Sequence, residues 1–315
     1  MEIKNNLKEL VKITFKEGIL KSYRALKLKL SRHHGPKELN RLEEINKFLI
    51  DSGFIKEHQK SKTDVTDKVS DNEKNIFVFW YEGFASAPAV VKRCVKRLET
   101  YYGDKYKIYL LDKTNYLNYV DLDNYVIDLF KKRKISIQTF TDIIRAKLIF
   151  DNGGYWIDST FFMSKDFPLF QNLERNSFDC LFVKLPKPSM LKLGNYENPT
   201  LSFFLGGRKN SVLFKYLYDA FLFYLKDKKM SKKLIPYYYM DMMLLLAMYH
   251  QIDNGAVNKV IHYEYDLYYF QDHEFDTDFD KKEIDKMLSR PYKLNWRINP
   301  PEKSLINYII NEVED

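Results

Sequence analysis

From residue 76 onward, short apolar runs alternate with longer segments of helical periodicity. This alternation is what most narrows the folds open to the chain. "IFVFW" (76–80) reads as a strand, and Pro88 opens a helix that ends at Gly103. "YKIYLL" (106–111) is a second strand. A helix through about 139–152 stops at Gly153-Gly154, and "YWI" (155–157) and "CLFV" (180–183) are a third and a fourth strand. Helical patterns return at 211–228 and 236–250. Strands separated by helices predict an α/β domain whose mostly parallel sheet is covered on both faces. No internal repeat is visible.

The first 70 residues follow another pattern. Leu7, Val11, Phe15, Ile19 and Tyr23 recur every fourth residue, with Lys8, Lys12 and Lys16 one step behind. An apolar stripe thus winds beside a basic one, as in an amphipathic helix. Up to Arg32 there are nine Lys and Arg against three Glu, so much of the net charge of +8 sits here. Such a helix either docks on the body with its charged face in water or lies on an anionic lipid surface. "GP" at 35–36 breaks it, and Pro36 can open a further helix up to Gly53. Residues 56–75, "KEHQKSKTDVTDKVSDNEKN", are polar and aperiodic and read as a linker. The expected organisation is an N-terminal helical segment with its linker over residues 1–70 and one domain over 71–315.

The basic balance suits anionic partners in general: nucleic acid, phosphorylated ligands or a membrane surface. With no zinc-ligand spacing or other recognition motif, nucleic acid is not expected. Cys94 and Cys180 are too few for a disulfide framework and read as buried thiols in a reducing compartment. Lysines interrupt the start before any signal-like apolar run develops, and no run is long enough to span a bilayer. The expected location is cytoplasmic, with peripheral attachment to the inner face of the membrane through residues 1–32.

The chemistry concentrates in "TDIIRAKLIFDNGGYWIDST" (141–160). Asp158 follows directly on a core strand, where an open α/β sheet binds its ligands; the alternative is an Asp that caps a following turn. Asp142 and Arg145 lie three apart and share one helix face, set off from the apolar face of Ile144, Leu148 and Ile149. Alone they would be a local ion pair. With Asp158 on the next strand, one arginine and two acids converge where helix and strand meet. Literal Asp-x-Asp triplets at Asp121/Asp123, Asp276/Asp278 and Asp278/Asp280 follow no such unit and read as solvated surface.

"IFVFWYEGFASAPAVVKRC", the 141–160 block and the closing "KLNW" together resemble the capsular polysaccharide synthesis proteins of bacteria. These are similar to glycosyltransferase family 32, with its sugar-binding region containing an Asp-x-Asp motif. The resemblance covers about residues 75–300, densely at 76–97 and 139–162. It implies a GT-A-like (Rossmann-like) fold and a hexosyltransferase-like enzyme that moves a sugar from a nucleotide donor, UDP-linked by resemblance, with retention of configuration. The acceptor would be a lipid-linked or oligosaccharide surface glycan. By resemblance, Trp80 and Tyr81 border the base pocket, Asp142 and Arg145 hold sugar hydroxyls, and Asp158 with Ser159 contacts ribose or sugar. Lys293, Trp296 and Arg297 close on the diphosphate. Asp158 would also help place Mn2+ or Mg2+. There the sequence departs from the pattern: Thr160 stands where the wider family has the direct metal ligand, and a hydroxyl serves a hard cation poorly. Either metal is then not used, or another ligand completes the site, with Asp241, His262 and His273 as candidates. A non-catalytic membrane-bound scaffold is the competing expectation that this departure leaves open.

Overall fold

The computed structural model describes residues 35–60, 74–165, 167, 180–184, 192–193, 196–197, 202–252, 261–262, 267–272, 279–297 and 299–311. The basic helix expected over 1–32 lies outside them, as do His273 and the acids at 276 and 278. Two helices come first, α1 (Gly35–Asp51) and α2 (Phe54–Gln59). Then follow β1 (Asn75–Phe79), α3 (Ala89–Tyr102), β2 (Lys107–Leu111), α4 (Asn124–Lys131), α5 (Ile137–Asn152) and β3 (Gly154–Ile157). Next are β4 (Phe161–Phe162), β5 (Cys180–Lys184), the hairpin of β6 (Lys192–Leu193) and β7 (Tyr196–Glu197), and β8 (Phe204–Gly207). The remainder is α6 (Val212–Lys226), α7 (Tyr239–Tyr249), β9 (Ile261–His262), α8 (Tyr269–Asp272), α9 (Lys281–Leu288), β10 (Tyr292–Lys293) and α10 (Leu305–Asn311).

The main sheet has the order β2-β1-β3-β8-β5-β9. β1 pairs in parallel with β2 and β3, and β5 with β9. β8 runs antiparallel to both its neighbours, so it alone is reversed. The sheet is therefore mixed, with the mostly parallel character that the alternation predicts and one reversed strand that it does not.

Side-chain alternation explains why helices cover both faces. From β1, Phe77 and Phe79 enter the larger apolar cluster with Trp156 of β3, Leu205 of β8 and side chains of α1, α5, α6 and α7. Ile76 and Val78 point to the other face and join Tyr155, Ile157 and Phe204 against Val95, Leu98 and Tyr102 of α3. A strand buried on both faces has no polar side, hence its uninterrupted apolar run. Leu42, Ile45, Leu49, Phe54 and Ile55 of α1 and α2 belong to the same cluster as the sheet. The linker expected over 56–75 begins later than its composition implies, because residues 56–59 complete α2. His58 there is buried, with Nε2 3.0 Å from Asp219 Oδ2.

The double glycine has a steric cause. Gly153 (φ 68°) ends α5, and Gly154 (φ 98°) starts β3. A Cβ on Gly154 would sit 2.4 Å from the Asn75 carbonyl oxygen of β1. Only glycine allows both that backbone and that approach. The turn brings β3 into register beside β1, with Ile76 opposite Tyr155 and Phe77 opposite Trp156. Parallel β1 and β3 consequently end at the same edge, where Trp80 and Asp158 emerge.

Candidate active site

A cavity of about 660 Å3 opens at that edge. Its walls include the residues that the resemblance marks for donor and metal: Trp80, Tyr81, Asp142, Arg145, Asp158, Ser159, Thr160, Lys293, Trp296 and Arg297. Four parts of the chain supply them. Trp80 and Tyr81 follow β1, Asp142 and Arg145 lie on α5, Asp158 to Thr160 follow β3, and the last three come from β10 and the residues after it.

Ser136 caps α5 by accepting from the Thr139 amide at 3.1 Å. Ile143, Ile144, Leu148 and Ile149 anchor the helix in the core, so Asp142 and Arg145 are held by packing. Both are buried, which makes the pair more than the surface ion pair that its spacing alone implies. Arg145 Nη2 lies 3.1 Å from Asp142 Oδ1 and 3.6 Å from Asp158 Oδ1. Arg145 Nη1 donates to the Ser202 carbonyl, and the guanidinium lies 5.0 Å from the centre of the Trp156 ring. Its Nε is buried without a hydrogen-bond partner.

Asp158 is fixed from several sides. Its amide donates to the Phe203 carbonyl at 2.8 Å, and its carbonyl accepts from the Phe161 amide at 2.8 Å. Trp156 Nε1 donates to Oδ1 at 2.9 Å, and Lys293 Nζ donates to Oδ2 at 2.7 Å. Burial alone would push this carboxyl up, but Lys293 and Arg145 together outweigh it and hold the group below its usual range. Asp142 goes the other way. Burial raises its carboxyl to about 7; Arg145 opposes the rise, and Asp241 and Asp158 add to it. Two carboxylates in one cavity are thus driven apart, one firmly ionised and one poised near neutrality.

The aromatic rim differs from a single stacking platform. Trp80 and Trp296 meet edge to face, with centroids 5.2 Å apart and planes at 89°. The Arg297 guanidinium lies 5.0 Å from the Trp296 ring. The Tyr81 ring packs edge-on against Phe130 of α4.

Several lining residues escape sequence reasoning. Ser202 and Phe203 reach this edge because β8 is reversed, which puts its N-terminal end beside the C-terminal end of β3. Tyr237, Tyr238 and Tyr268 line another wall. Asp241, which the sequence offers only as a candidate metal ligand, is buried on α7 and lines the cavity. A lone acid in the apolar run "MDMMLLLAM" is the signal that could have marked it, since a buried carboxylate needs a purpose or a partner.

The expected divalent cation fits this donor set poorly. Asp158 already serves an indole N–H and an ammonium, and Thr160 Oγ1 accepts from the same Lys293 Nζ at 2.7 Å. No group of three or more His, Cys, Asp or Glu able to hold a metal occurs among the described residues. The literal triplets serve elsewhere: Asp123 caps α4, and Asp280 caps α9 in a capping box with Glu283.

A family model described as capsular polysaccharide synthesis protein matches residues 28–313, and the chain belongs to that family. Among individual proteins, it is similar to the O-glycosyltransferase PaGT of Phomopsis amygdali, at 24% identity over 51% of this chain and 41% of the relative. It is also similar to the O-glycosyltransferase braB of Annulohypoxylon truncatum, at 28% identity over 29% of this chain and 24% of the relative. The matched region spans less than half the length of either relative. No solved structure matches the chain. Among the described residues no helix is long and apolar enough to cross a membrane.

Proposed function

We propose that this protein is a glycosyltransferase of GT-A type that transfers a sugar from a nucleotide-sugar donor to a growing surface glycan, with retention of configuration. The observation that carries the reading is the meeting of Asp142, Arg145 and Asp158 with Lys293, Trp80 and Trp296 in one cavity at the strand ends. Family membership and the two fungal O-glycosyltransferases support the same class of chemistry.

Each group has a task in such a reaction. Asp158, ionised, accepts hydrogen bonds from ribose or sugar hydroxyls. Asp142, near neutrality, can accept from one hydroxyl or donate to another. Arg145 holds both acids in register and has its Nε–H left to donate. Trp80 and Trp296 form a corner against which a base or a sugar ring can rest. As the diphosphate leaves, cationic groups must meet its growing charge, and Lys293 and Arg297 are in the cavity to do so. In a retaining transfer the departing phosphate oxygen takes the acceptor's proton, so no separate base is required.

A thermal-shift screen of sugar nucleotides tests the proposal. A donor present at about 100 times its dissociation constant should stabilise the fold by about 2.7 kcal/mol. NMR of the product then gives the anomeric configuration. Should no sugar nucleotide shift the melting and none be hydrolysed or transferred, the proposal fails.

A further inference from the structure

We infer that Lys293 is the fixed cation against which the donor's diphosphate binds, so that nucleotide binding by this chain needs no divalent metal. The inference rests on the glycosyl-transfer reading and deepens it.

Lys293 is firmly placed. β10 pairs antiparallel with β4, Tyr292 opposite Phe162 and Lys293 opposite Phe161. The Lys293 amide donates to the Leu267 carbonyl at 2.7 Å, and the Leu294 amide to the Thr160 carbonyl at 2.9 Å. Tyr292 and Leu294 are buried in the cluster formed with α3 and α10, whereas Lys293 between them lines the cavity. Core packing on both sides thus aims one ammonium at the end of β3.

The ammonium joins two side chains at the end of β3. Nζ donates to Asp158 Oδ2 and to Thr160 Oγ1, each at 2.7 Å. It therefore bridges the two side chains that would have to coordinate a metal. An ammonium carries three N–H donors, and these two bonds leave one for an oxygen of the ligand. Nζ also lies 5.6 Å from the centre of the Phe203 ring, on the cavity wall.

Local charge at Asp158 acts in the same direction. Arg145 Nη2 stands 3.6 Å from Asp158 Oδ1, so this one carboxylate already faces two cations. A divalent cation would have to displace Lys293 or bind beside it against repulsion. A diphosphate meets the opposite situation. Thr160 fits this arrangement, because its hydroxyl accepts from the ammonium without adding negative charge that would repel phosphate. During transfer the diphosphate takes the electron pair of the anomeric C–O bond. Lys293 contributes charge and one hydrogen bond.

Calorimetric titration with UDP, GDP, CDP, ADP and dTDP, in EDTA and in excess Mn2+, tests this. The wild type should bind one of them with dissociation constants that agree within about twofold between the two conditions. Lys293→Met keeps the buried stem and removes the charge; it should weaken metal-free binding about tenfold or more, while Lys293→Arg retains most of it. Wild-type binding that appears only with Mn2+ overturns the inference and leaves the functional reading intact. So does a folded Lys293→Met that binds like the wild type. If no nucleoside diphosphate binds in either condition, the functional reading falls and takes this inference with it. Should Lys293→Met fail to fold, the wild-type comparison between EDTA and Mn2+ still decides.

Discussion

Replacing Asp142 with Asn should stabilise the protein, and by more as the pH rises. In the folded chain burial lifts this carboxyl from 3.8 to about 7, against the pull of Arg145 and with help from Asp241 and Asp158. The unfolded chain gives up the same proton near its ordinary value. Between those two values the folded state holds one proton more, so stability falls as the pH rises and levels off above about 7. One pH unit inside the window is worth about 1.4 kcal/mol. From about pH 5 to about pH 8 the wild type should therefore lose roughly 3 kcal/mol through this group, while Asn, neutral throughout, loses none. Urea unfolding of both proteins across that range measures the difference, with unchanged m-values as the check that neither end state has altered. A constant gap between the two curves, or an Asn variant less stable than the wild type at about pH 8, would refute the reasoning. The sign carries meaning for function. An acid that costs stability at working pH is better explained by a ligand than by the fold.

Three further substitutions test the geometry. Asp158→Asn should lower transfer about a hundredfold or more, since charge-assisted hydrogen bonds of about 1.5–3 kcal/mol each are lost. Because Asp158 is held below its usual range, its stabilising contribution is present above about pH 4 and fades as the pH falls further; the variant's deficit in melting temperature at neutral pH should shrink in acid. Arg145→Lys keeps a charge but cannot span Asp142, Asp158 and the Ser202 carbonyl at once, so transfer should fall by roughly tenfold, a milder loss than for Asp158→Asn. Gly154→Ala should destabilise by about 3 kcal/mol or more in denaturant titration, because φ is 98° and the new methyl group meets the Asn75 carbonyl.

What could be read from the sequence is what local pattern encodes. β1, β2, β3, α3 and α5 stand within a residue or two of their expected positions, since each is an apolar run or a periodic segment bounded by Pro, Gly or a cap. The same block brought Asp142, Arg145 and Asp158 together, because a helix, a tight turn and a strand leave their geometry little freedom. The direction of β8 was not legible: a four-residue apolar run looks the same in either direction, and its reversal is what carries Ser202 and Phe203 to the cavity. The salt bridge between Lys293 and Asp158 depends on packing between segments 135 residues apart. The resemblance implies a diphosphate clamp in the closing block, but its contact with Thr160 has no local signature. α9 does have one: Asp280 and Glu283 form a capping box inside a polar stretch whose composition points only to solvated surface.

The central claim is that the cavity at the end of β3 transfers a sugar and that Asp158 takes part. The most direct test is the rate of nucleoside diphosphate release and sugar transfer from the donor found by screening, in the wild type and in Asp158→Asn, with folding of both verified by circular dichroism. The account predicts measurable turnover in the wild type and a loss of about a hundredfold or more in the variant. A folded Asp158→Asn that turns over the same donor at close to the wild-type rate would contradict it.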